Sequence, residues 1–155
     1  MADDARARLL LIVTGSTLRA EELDRPLAYY LKQQVEQHPV AAEFGPEGLR
    51  VGVVADLLWL NEDDWQRLPT ISIGGPGVNH LARHWFEELP FCLQVDEQFY
   101  IQMDPDLDEL HASVWGMDNE TTQVAVAAFL RRFLPRFLDR WADAPSEPET
   151  IDDDD

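Results

Sequence analysis

A single cysteine, Cys92, in 155 residues excludes an internal disulfide and any cysteine-rich zinc module. Lysine is as scarce, with Lys32 alone, and the 12 basic residues face 30 acidic ones for a formal net charge of −18. Nucleic-acid affinity rests on cations that release counterions from phosphates, so this balance argues against DNA or RNA partners, and against anionic membranes on the same ground. No apolar run approaches the ~20 residues of a membrane-spanning helix. The opening Met1-Ala2-Asp3-Asp4 is acidic where a secretory leader is basic, and the apolar run at 9–13 is too short for a leader's core, so a cytoplasmic location is the expectation. Three chemical signatures are missing as well: the G-x-G-x-x-G and P-loop spacings, and H-E-x-x-H.

What is there suffices for a folded core. Hydrophobic residues make up 45% and aromatics 10%, enough burial to offset the ordering entropy of most of the chain. Seven of the acids and no base lie in residues 143–155, leaving a net charge of −11 on residues 1–142. The expected division is therefore one domain over 1–142 and an acidic, disordered tail over 143–155.

Strand, loop and helix alternate three times. Leu9-Leu10-Leu11-Ile12-Val13 reads as a strand covered on both faces, broken by Gly15-Ser16-Thr17 and a loop to Asp24, which with Pro26 behind it suits a helix N-cap. A second strand runs over 49–55 to Asp56, and a turn over 45–48 precedes it. Residues 68–73 read as a third strand, Gly74-Gly75-Pro76-Gly77 as a turn, and 78–88 as a helix. Residues 91–95 and 98–103 form a hairpin about Asp96-Glu97, a poor pair for a primed turn. A last strand over 110–116 leads into a long C-terminal helix with Val126, Leu130, Phe133, Leu134, Phe137 and Trp141 on one face, and Pro135 predicts a kink or short break in it.

This order predicts an α/β fold: a three-layer, mostly parallel sheet with one antiparallel hairpin (about 91–103) and helices on both faces. The pattern is similar to Rossmann-like and flavodoxin-like architecture, and no catalytic position is carried over from that resemblance. Ligands in such sheets bind beyond the carboxyl ends of the strands. The turns after Val13, Ile73 and Trp115 should share that rim.

Candidate ligand-binding residues follow from the rim, each beside a structural alternative. Gly74, Gly75 and Gly77 allow close backbone approach to an anion, with Asn79 and Arg83 as side-chain contacts, or simply make a tight turn. Gly15, Ser16, Thr17 and Arg19 suit a carboxylate or phosphate, although Arg19 and Arg25 pairing with Glu21, Glu22 or Asp24 is the simpler reading. Asp56 stands where a ribose-binding acid is often kept, or caps a strand end. Thr121 and Thr122 complete an anion or ribose contact, or belong to a helix cap at Asp118 or Asn119.

Catalytic residues and cofactors are not indicated. His80 and His84 are four apart but lack a third zinc ligand, and Cys92 lies in an apolar strand where an inert thiol is the simpler reading. Two functions follow: binding of a small anionic ligand, a nucleotide or phosphorylated metabolite, at the loops after the first, third and last strands; or a noncatalytic interaction module meeting a protein partner through exposed tryptophan, Trp65 foremost.

Overall fold

The computed structural model describes residues 8–44 and 49–143. The turn expected at 45–48 and residues 144–155 of the acidic tail lie outside the described residues. Six strands form one sheet: β1 (Arg8–Thr14), β2 (Leu49–Ala55), β3 (Thr70–Ile73), β4 (Phe91–Val95), β5 (Phe99–Met103) and β6 (His111–Gly116), in the spatial order β2-β1-β3-β6-β5-β4. The first four in that order run parallel, and β5 runs antiparallel to both β6 and β4.

The double-sided burial expected of β1 decides the layering. Leu10 and Ile12 join a large cluster with Leu31 and Val35 of α2 (Arg25–Glu36), Phe129 of α5 (Asn119–Arg132), and Phe137 and Leu138 of α6 (Leu134–Asp143). Leu11 and Val13 point the other way, into a smaller cluster with Trp59 of α3 (Asp56–Leu60) and Leu81 and Trp85 of α4 (His80–Trp85). Each buried side chain of this size contributes about 1.5–3 kcal/mol. Helices thus cover both faces of the sheet.

Several expected elements differ in detail. The segment read as a loop before Asp24 is a short helix, α1 (Leu18–Leu23), capped by Thr17 Oγ1, which accepts from Ala20 N at 3.1 Å. Only Ala20 of α1 is buried, so no apolar stripe announced it. The helix expected over 78–88 is the six-residue α4. The long C-terminal helix is two: the backbone departs from helical geometry at Phe133 (φ −123°, ψ −32°), two residues before Pro135, whose ring crowds the preceding turn and offers no N–H. The amphipathic face survives the break, since Phe129, Phe137 and Trp141 remain buried.

In the β4–β5 hairpin Asp96 and Glu97 both hold positive φ, at 48° and 61°, and Gln98 N donates to Val95 O at 2.7 Å. That is the primed turn the strand twist demands, imposed on two residues that resist it at about 1 kcal/mol or more each. Replacing Asp96-Glu97 by Asn-Gly should therefore raise the thermal midpoint by about 2–4 °C, as ~1 kcal/mol does in a domain of this size. An unchanged or lower midpoint in calorimetry would refute the assignment of strain to this turn.

Candidate functional site

The loops after β1, β3 and β6 meet at one rim, and the backbones of the first two touch. A β-carbon on Gly15 would lie 1.9 Å from the carbonyl oxygen of Val78, so only glycine fits there. Six expected ligand contacts on this rim, Ser16, Thr17, Asp56, Asn79, Thr121 and Thr122, are spent on the protein. Asn79 is buried: its Nδ2 donates to Ile73 O (2.9 Å), Ser72 Oγ (3.0 Å) and, at 3.4 Å, Val13 O, while its Oδ1 accepts from Leu81 N and Ala82 N at 2.8 and 3.1 Å. Those two bonds cap α4, so the glycine turn presents no free helix start to an anion.

Ser16 and Asp56 belong to a clasp. Asp56, 0% exposed, accepts from Ser16 Oγ and from Leu57 N (2.7 Å) on Oδ1, and from His80 N (2.6 Å) on Oδ2, where the His80 ring Nδ1 also lies at 3.0 Å. Burial alone would raise this carboxyl, but the hydroxyl and N–H donors outweigh it and hold its pKa below the usual aspartate range. Serine, aspartate and histidine therefore meet in an order unsuited to nucleophilic catalysis: Ser16 donates to the carboxylate, and among the described residues no hydrogen bond joins it to His80. Thr17 is the α1 cap already described.

The third loop caps its own helix. Asp118 accepts from Thr121 N at 2.8 Å, and Thr121 Oγ1 accepts from Asp118 N at 3.0 Å, a reciprocal capping box. Thr122 Oγ1 donates to Asp118 O (2.8 Å) and accepts from Gly116 N (2.9 Å). Both threonine hydroxyls are thereby engaged.

Between the three loops lies an open cavity of about 330 Å³, walled by Arg19, Leu23 and Asp24 from the first, Gly75 to Val78 from the second, and Trp115 to Asn119 with Thr122 from the third. Of the expected contacts it gathers Arg19, Gly75, Gly77 and Thr122. Arg83 is not among them: it lies outward on α4, its Nε 3.4 Å from Pro76 O, beside a shallower hollow with His84 and Phe86. Gly74 stands behind the wall at φ +108°, and a β-carbon on it would approach Asp24 Oδ2 to 2.8 Å. The local ion pairs expected of the arginines are absent among the described residues. Arg25 instead stacks over the Tyr29 ring at 5.6 Å, and Arg19 is left exposed on the cavity wall with no carboxylate partner.

Asp24 is the residue the sequence did not single out for the site. Placed as the N-cap of α2, it makes no side-chain cap hydrogen bond. The residue, 6% exposed, lines the cavity, and among the described residues its carboxylate accepts one hydrogen bond, from Asn119 Nδ2 at 3.3 Å on Oδ1. Burial, only partly offset by that bond, pushes its pKa above the usual aspartate range. Its partner lies 95 residues away, so no local pattern could have revealed this role.

The histidines and the cysteine sit elsewhere. His111 is sandwiched against Trp85, 4.8 Å between centroids, and burial pushes it toward the neutral form. Cys92 donates its thiol to Met103 O at 3.2 Å, and burial raises its pKa, an unreactive setting. His80 and His84 face different carboxylates, Asp56 and Glu88. Trp65, expected to be exposed, is packed against the smaller core cluster, and the other four tryptophans are buried. No helix among the described residues is long and apolar enough to cross a membrane. No protein-family model matches the chain, and no curated protein matches it.

The two rim carboxylates should respond oppositely to pH and mutation. Asp56 is depressed by folding, so its contribution is present above the unfolded aspartate value and lost as pH falls through its folded one; Asp56→Asn, which replaces one of the two accepting oxygens by a donor, should cost about 2–3 kcal/mol in urea denaturation at neutral pH. Asp24 is raised, so its ionisation weakens the fold as pH climbs through its folded value. Asp24→Asn should accordingly raise the midpoint at pH 7 by about 2–4 °C and leave it unchanged or lower at pH 3.5. A destabilised Asp24→Asn at pH 7 would show that the carboxylate is better satisfied than its contacts indicate.

Proposed function

We propose that this protein binds a small anionic metabolite, a nucleotide or phosphorylated compound, in the cavity between the loops after β1, β3 and β6. The observation that carries the reading is an exposed guanidinium, Arg19, with no carboxylate partner among the described residues, on the wall of a recess of about 330 Å³ at the carboxyl ends of parallel strands. That volume lies within the ~300–1,000 Å³ range of small-molecule sites. The connections leaving β1 and β3 pass to opposite faces of the sheet, the arrangement at which doubly wound folds hold their ligands. The order β2-β1-β3 supports the flavodoxin-like variant of that architecture.

Because Thr17, Asn79 and Asp118 cap the nearby helices, Arg19 supplies the positive charge alone, which favours one phosphate or carboxylate over a di- or triphosphate. The charged side chains of the wall are Arg19, Asp24 and Asp118, and the reading rests on binding, with no catalytic role assigned to them. The interaction-module alternative has lost its exposed tryptophan. It retains apolar surface residues such as Leu18 and Met117, and scattered exposed residues of that kind are ordinary on a folded surface.

Calorimetric titration with nucleoside monophosphates and phosphate monoesters should find a ligand with micromolar to low millimolar affinity, weakened at least ten-fold in Arg19→Ala while Arg83→Ala leaves it within two-fold. Indifference of the wild-type protein to the whole panel would overturn the proposal.

A further inference from the structure

We infer that the ligand is a zwitterion, carrying an ammonium group that meets Asp24 and a single phosphate or carboxylate that meets Arg19. This rests on the ligand reading above and narrows it. Asp24 is nine-tenths buried, lines the cavity, and receives one long hydrogen bond on Oδ1 while no donor among the described residues reaches Oδ2. The described side-chain oxygens sealed from solvent without a partner are Thr14 Oγ1 and Ser113 Oγ. Asp24 Oδ2 is not one of them, so it keeps some solvent access, on a residue that lines the cavity.

A largely buried carboxylate with an under-used acceptor is costly, and a cationic donor relieves both the charge and the missing hydrogen bonds. A neutral hydroxyl fills only the acceptor. Asp56 at the same rim shows the contrast: three donors converge on its two oxygens, with the His80 ring Nδ1 also 3.0 Å from Oδ2. The surrounding field agrees, since a net charge of −18 attracts a ligand's cationic end and leaves only Arg19 to hold its anionic one. Gly74 keeps the recess open behind the carboxylate, because any β-carbon there would press on Oδ2.

Isothermal titration of the full chain with O-phosphoethanolamine and with n-propyl phosphate, matched in size but for the amine, separates the two claims. The amine-bearing ester should bind at least ten-fold more tightly, and Asp24→Asn, which keeps the side chain's shape, should bring the two within two-fold of each other. Equal affinities in the wild-type protein would overturn the zwitterion inference and leave the anion site standing. Failure of both esters at millimolar concentration, with another phosphate compound of the panel still bound, would do the same. Failure of every compound would overturn both.

Discussion

The carboxamide of Asn79 holds the site's architecture together. It is bonded at once to the ends of β1 and β3 and to the first turn of α4, at the place where the chain leaves adjacent parallel strands toward opposite faces. With the two strand ends fixed, the backbone contact between Gly15 and Val78 closes one side of the rim, and the third loop, rigid through its capping box, closes the other. What remains between them is a recess rather than a packed junction. Its existence follows from topology, and its polarity follows from the few side chains that the caps leave unspent.

Those unspent groups are of opposite sign. Among the described residues Arg19 has no carboxylate partner and Asp24 has one long hydrogen bond, although both belong to the same connection after β1. In a chain so rich in carboxylates an unpaired arginine is unexpected, and in a folded interior an under-bonded aspartate is costly. Neither is needed to cap a helix or close a turn. Local conflict of this kind concentrates at functional sites, where the missing partner comes from outside the protein.

Much of the scaffold was legible because its signals are local. The five apolar residues at the start of β1 demanded two covered faces, the hairpin followed from two β-rich runs about a short connection, and Pro135 forecast the break that appears at Phe133. α1 was hidden because a six-residue helix with one buried alanine has no periodic stripe. The site was legible only as a place. Ser16, Asn79, Asp56, Thr121 and Thr122 have the chemistry of ligand contacts, yet each finds a partner within the fold, and which polar groups are so consumed depends on contacts across many residues of sequence. Asp24 was read as a helix cap for the same reason: Pro26 beside it is a genuine local signal, while Asn119 and Gly74 are neighbours only in space.

The central claim is that two buried rim aspartates have opposite fates, one saturated by the protein and one left open to a ligand. Carbon-13 NMR titration of the aspartate carboxyl groups in the unliganded protein tests it directly. Asp24 should titrate above the ordinary aspartate range and Asp56 below it, in the same sample. An Asp24 midpoint at or below the ordinary value would mean that its charge is already compensated within the fold, and would contradict the account.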